Sequence, residues 1–257
     1  MRRLIDILAP LLLVALLLVV WEGACRAFAV PTYFLPKPSE VWAALVDRWP
    51  VLLASAWETF LMAVSALAAA SIVACALALQ SALSRTFERA VRPLAVTLQV
   101  TPIVALAPLV TVWAGLDHAR AAVVGLAAVV AFFPIFSGAL TGLKAIDPDL
   151  ERLFVLYGAT PLQRLAKLSL PSATPFLLEG HKVGVGLAVV GAVVAEFVAG
   201  SGQTKGLAWR ILEASNRLRI ADMLAAVLVL GLLAVGLNAL FAVLEKQALN
   251  RWRGRSR

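Results

Sequence analysis

An all-α polytopic membrane protein is what this chain predicts, and three observations carry the prediction. Of its 257 residues, 61% are hydrophobic and 15% charged, with a mean hydropathy of +0.90. A soluble domain holds roughly 45–50% apolar and about 25% charged residues. Six apolar runs, 4–28, 52–79, 93–116, 120–143, 174–199 and 221–244, are long enough for the roughly 20 residues that a bilayer core requires. The 23 Lys and Arg residues gather at the ends of these runs rather than on one face. The net charge of +8 and pI near 10.2 therefore read as membrane orientation and not as nucleic-acid binding.

The first run has the outline of a secretory signal, with Arg2-Arg3, an apolar stretch and Ala27-Phe28-Ala29. Glu22 lengthens it beyond a usual signal core and five more runs follow, so it reads as a retained span. Glu22 also stands where a lipoprotein site would carry Leu, which leaves Cys25 a packing residue, like Cys75. The segment 30–50, with Pro31, Pro36 and Pro38, predicts a stiff outer loop in which Ser39 caps a short helix. Pro102, Pro108 and Pro134 are expected to break the third and fourth runs. In the fifth, Gly180, Gly184, Ala188, Ala192, Ala195 and Ala199 form a smooth stripe for close helix approach. The segment 202–220, with Leu207, Ile211, Ser215 and Leu218 at helical spacing, predicts a helix lying in the outer interface.

Orientation follows from the cations. With the N-terminus inside, the inner segments hold 15 Lys and Arg against 7 in the outer ones, Arg26 lying within the first run. Both termini are expected in the cytoplasm. The basic tail 252–257, with Arg253, Arg255 and Arg257, is expected to rest on anionic lipid. The chain thus divides into a first span with its outer loop, 1–51, a core of five spans, 52–251, and that tail.

The longest polar interruption, 147–171, is too elaborate for a bare connector. Asp147 can cap one short helix, with Pro148 at its first position and Gly158 just past its end. Thr160 can cap a second, with Pro161 and Gln163 completing a capping box, and Leu170-Pro171 is expected to stop it. Leu162, Leu165 and Leu168 oppose Arg164 and Lys167 on that helix. Two capped helices at a membrane surface predict a docking knob.

Catalytic and cofactor motifs fail in detail. The run Gly200-Ser201-Gly202-Gln203-Thr204-Lys205-Gly206 lacks the Gly before and the Ser or Thr after Lys that a P-loop needs. Gly184, Gly186 and Gly191 miss dinucleotide spacing, no G-x-S-x-G elbow accompanies Ser201, and His118 and His181 join no metal-ligand cluster. The charges at membrane depth, Glu22, Glu58 and Glu196, lie near span ends and form no proton relay, and no repeated halves are visible. A secondary transporter or channel is the alternative reading. Transport driven by energy from another chain fits better, with no catalytic residue, cofactor or metal expected here.

Gly158-Ala159-Thr160, with Leu170-Pro171 thirteen residues beyond Gly158, resembles the cytoplasmic signature of permease subunits of ATP-binding-cassette importers. Arg152-Leu153-Phe154 stand where that family carries Glu-Ala-Ala, with Glu151 one position early. Leu35-Pro36-Lys37-Pro38-Ser39-Glu40-Val41-Trp42, Thr101-Pro102, Ala107-Pro108-Leu109, Trp113-x-Gly115, Phe133-Pro134, Gly142-Leu143, Ala195-Glu196-Phe197 and Gly206-Leu207 are similar to the nitrate, sulfonate and taurine branch, so the likeness runs from 31 to 251. The resemblance implies a membrane-spanning importer subunit for nitrate-, sulfonate- or taurine-like or thiamine-pyrimidine-like solutes, multi-pass in a bacterial plasma membrane. It implies a second permease chain, identical to this one, two cytoplasmic ATP-binding subunits that hydrolyse the ATP, and a periplasmic or extracellular solute-binding protein. Glu151, Gly158, Ala159, Thr160, Arg164, Lys167, Leu170 and Pro171 would meet the ATPase, and Pro102, Pro108, Pro134 and Glu196 would border the path.

Overall fold

The structure, a computed structural model, describes residues 2–115, 118–199 and 204–254. Among the described residues every regular element is helical, as the apolar periodicity requires. The chain forms two compact units, Met1–Trp57 with Lys205–Gly231, and Glu58–Thr204 with Leu232–Arg257.

In the first unit, α1 (Arg2–Ala27) is followed by α2 (Pro38–Asp47). Ser39 does not cap α2; that helix begins two residues earlier than the hydroxyl rule suggests, at Lys37 with Pro38 as its first residue. Ser39 instead gives its N–H and its hydroxyl to the two carboxylate oxygens of Glu22, at 3.1 and 3.0 Å. A carboxylate from α1 thus neutralises the exposed amides of an α2 first turn, which explains a charge inside an otherwise apolar run. Cys25 is buried beside Leu35, and both cysteines are free thiols.

The helix expected within 202–220 is α10 (Leu207–Asn216), with a shorter apolar face than the sequence suggests. Leu207, Ala208, Ile211 and Ala214 are buried, whereas Ser215 is exposed and Leu218 lies beyond the helix at φ 54°. Its apolar face is covered rather than exposed. The cations that ran against the orientation rule here are matched locally: Arg210 and Arg217 pair with Glu213, and Arg48 and Arg219 with Asp222. The run 200–203 of the failed phosphate loop lies outside the described residues.

The second unit takes the C-terminal part of α3 (Trp49–Leu83), then α4 (Arg85–Val100), α5 (Ile103–Ala114), α6 (Ala119–Lys144), α7 (Pro148–Leu156), α8 (Pro161–Arg164), α9 (Leu170–Ala199) and the end of α11 (Ile220–Gly254). Among the described residues, four helical stretches are long and apolar enough to cross a membrane: α3, α6, Pro161–Val198 and Ile220–Asn250. The expected third span is not one rod. It is α4 and α5, bent by 101° at Thr101-Pro102, and the pair counts as a fifth crossing if taken together. Pro102 has no N–H to continue the ladder, and it pushes Thr101 out of the helical region to φ −72°, ψ 125°. Pro108 and Pro134, by contrast, lie inside unbroken α5 and α6. Neighbouring helices hold such prolines in place.

The core of this unit is the seam of α6 and α9. A Cβ on Gly180 would come within 2.6 Å of the Pro134 carbonyl oxygen, and one on Gly138 within 2.7 Å of the Phe176 carbonyl oxygen. Ala188, Ala192 and Ala195 continue the seam, buried. The small-residue stripe read from the fifth run is therefore the place of closest approach, and Gly138 and Gly142 supply its counterpart on α6. Ala199 has no described side-chain environment.

Candidate functional site

The 147–171 segment forms two helices, as its caps require. Asp147 Oδ1 accepts from the Asp149 N–H at 2.9 Å, and Thr160 and Gln163 make both halves of the capping box, at 3.3 and 2.9 Å. After α7 the N–H of Gly158 bonds the Val155 carbonyl at 2.9 Å and that of Ala159 bonds the Phe154 carbonyl at 3.0 Å. These are the two bonds of a Schellman closure, and they need the φ of +67° that Gly158 adopts. Glu151 of α7 faces Arg164 of α8 at 3.8 Å.

Leu170-Pro171 does not stop the second helix. α8 passes through a π-helical turn, Leu165–Ser169, straight into α9. The Leu170 N–H reaches back five residues to the Leu165 carbonyl. The widened turn gives the Pro171 ring room beside carbonyls that an α-helical turn would drive into it. Leu168 and Ser169 are buried, and Lys167, Leu170 and Pro171 are exposed. The amphipathic pattern holds for Leu165 and Leu168 only; Leu162 is 73% exposed. Leu156 and Tyr157, beside the turn, are 83% and 82% exposed. The tip of the loop therefore presents bare apolar side chains around Gly158.

A second feature is a cavity of ≈ 700 Å³ among α4, α5, α6 and α9. Its polar lining is Gln99, Thr101, Ser137, Thr141 and Glu179, among mainly apolar side chains. Of the residues expected along a path, Pro134 lines it, and Pro102 sits at the bend between Thr101 and Ile103, which do. Pro108 is exposed on α5, and Glu196 is fully buried on α9 outside that lining. Glu179, which the sequence reading passed over, was visible as a carboxylate within the fifth apolar run; Lys182 lies 3.8 Å from it and 3.4 Å from Glu245 of α11. His181 has a packing role, with Nδ1 2.8 Å from the Leu177 carbonyl oxygen and its ring stacked on Phe241. Glu58 faces Arg120 at 3.4 Å.

Comparison with known proteins places this geometry. Residues 66–253 match the family described as binding-protein-dependent transport system inner membrane component. The formylaminopyrimidine transport permease protein ThiX of Halalkalibacterium halodurans is 31% identical over 91% of this chain and 92% of its own. The riboflavin transport system permease protein RibX of Chloroflexus aurantiacus is 32% identical over 92% and 87%, and the taurine transport system permease protein TauC of Escherichia coli 27% over 93% and 88%. A solved amino acid ABC transporter with histidines shares the fold at a TM-score of 0.67 and 14% identity, covering 80% of this chain and 97% of that one. The chain belongs to the inner membrane components of binding-protein-dependent transport systems, as a permease subunit of an ATP-binding-cassette importer.

Proposed function

We propose that the loop around Gly158 is where this permease receives the ATPase, and that its cargo is a small uncharged or cationic heteroaromatic solute. The observation that carries the docking assignment is the exposure of Leu156, Tyr157 and Leu162 on two capped helices. Bare apolar groups on a stiff, polar-rimmed projection fit a protein partner. Two ATPase subunits would seat on a pair of identical chains in the plasma membrane, each spanning six times with both termini in the cytoplasm, α1 and the α4–α5 pair completing the count. A solute-binding protein would deliver cargo on the outer side. Closure of the ATPases would displace α7 and α8 together and switch the path between inward- and outward-facing.

The cavity supports the cargo assignment. Amide, hydroxyl and carboxylate groups line it amid apolar surface, which suits a flat ring with hydrogen-bonding edges better than a sulfonate or nitrate, whose charge needs a cationic partner. ThiX and RibX, two relatives above 30% identity, are named for such ring systems. Uptake into proteoliposomes containing the assembled transporter and its binding protein tests both parts. ATP-dependent accumulation of a pyrimidine or flavin, and none of taurine, is expected. ATP-dependent taurine uptake alone would overturn the cargo assignment, and uptake without ATP the coupling.

A further inference from the structure

Four cations and one carboxylate meet where α4 passes the end of α6: Arg85, Arg89, Arg92 and Lys144 around Glu88. Glu88 accepts a hydrogen bond from Lys144 and lies 4.0 Å from Arg92. Arg85 and Arg89 make no ion pair among the described residues, unlike the arginines that Glu213 and Asp222 neutralise in the first unit. From this mouth a mainly apolar trough of ≈ 240 Å³ lies between α4 and α6, lined by Val96, Phe133, Phe136 and Leu140 with Ser137 and Thr141; Phe133, Ser137 and Thr141 border the larger cavity as well, and Glu88, Arg92 and Lys144 are shared by trough and mouth. Phe133 is eleven residues before Lys144 on one helix, about 16 Å by helical rise, so the trough reaches from a span end toward membrane depth.

We infer that this is a binding site for an anionic glycerophospholipid, with the phosphate on the Arg85, Arg89 and Lys144 cluster and an acyl chain in the trough. Charge complementarity selects an anion, because the mouth is three charges positive after Glu88 is counted. The apolar trough selects a tailed one, since a free phosphate ion has no use for it. Glu88 holds Lys144 and Arg92 at the rim, which keeps the mouth open to Arg85 and Arg89. α4 is built for this position: its first two turns carry Arg85, Glu88, Arg89 and Arg92, its last two carry no charge, and it turns by 101° from α5.

The test is lipid retention by the purified, assembled transporter, read by native mass spectrometry with phosphatidylglycerol and phosphatidylcholine of matched chains. Phosphatidylglycerol should be retained preferentially. Arg85→Gln with Arg89→Gln should weaken it about fivefold per charge removed, Arg85→Lys with Arg89→Lys should preserve it, and Val96→Asn should weaken it with the charges intact. Equal retention of both lipids would overturn the inference. So would displacement of phosphatidylglycerol by millimolar inorganic phosphate together with indifference to Val96→Asn, which would mark a headgroup-only site. Loss of permease or ATPase subunits from the Gln variant, with lipid retention unchanged, would assign this face to a protein partner instead.

Discussion

The Arg164 guanidinium of α8 lies 3.8 Å from the Glu151 carboxylate of α7, tying the two loop helices across the turn at Gly158. Both side chains are partly exposed, 33% and 54%, so the pair contributes less than about 1 kcal/mol to folding. It bridges α7 and α8 across the turn, where a change of angle would alter how the loop is presented. Glu151→Gln should leave the thermal stability of the solubilised protein near wild type while lowering solute imported per ATP hydrolysed. The charge swap Glu151→Arg with Arg164→Glu should restore the ratio, and an unchanged ratio in the single variant would remove the tie from the mechanism.

Gly158→Val separates a docking turn from an ordinary helix terminator. A Cβ there meets nothing within 4 Å in this chain, so the local penalty is the left-handed backbone, about 1–2 kcal/mol. The protein should insert and fold, yet lose ATPase co-purification and uptake together. Gly158→Asn, which tolerates that conformation better, should retain most of both. Wild-type ATPase recovery with the Val variant would show that docking does not use this turn.

Gly180→Val tests the seam. Its Cβ would press on the Pro134 carbonyl at 2.6 Å, and backbone cannot yield as a side-chain tip can. A destabilisation of at least about 1–3 kcal/mol is expected, read as a lowered melting temperature in detergent. Gly231→Ala, where a Cβ meets nothing within 4 Å, is the matched control and should melt near wild type.

Reporter fusions check the orientation. Fusions within 85–92 and within 144–167 should both report the cytoplasm, because 15 of the Lys and Arg residues fall on that side against 7 on the other. A periplasmic signal at either place would reverse the topology and move the loop away from ATP.

The helices were legible where apolar length alone decides them. α3, α6 and α9 lie within a few residues of the runs read from sequence, and the loop caps at Asp147, Thr160 and Gly158 are local side-chain chemistry. What escaped were features set by tertiary contact. Ser39 looks like a cap until Glu22, seventeen residues away, claims it. Pro102 and Pro134 look alike in sequence, but one sits at an exposed bend and the other inside a helix held by Gly180. Leu170-Pro171 looks like a stop because a π-helical turn has no sequence period of its own. The cavity was largely illegible, because Gln99, Ser137, Thr141 and Glu179 come from three helices and share no motif.

The uninterrupted passage from Pro161 to Val198 gives the loop a long shaft. Its 38 residues measure about 57 Å, nearly twice the hydrocarbon thickness of about 30 Å. A displacement at Thr160 would thus be carried along one continuous helix rather than through a loop. The π-helical turn is a compliant collar on that shaft: if its extra residue migrated by a position, the residue it passed would rotate by about 100° while the helix beyond kept its register. In such a machine the shaft would carry the stroke, and the collar would re-aim only the side chains at its loop end.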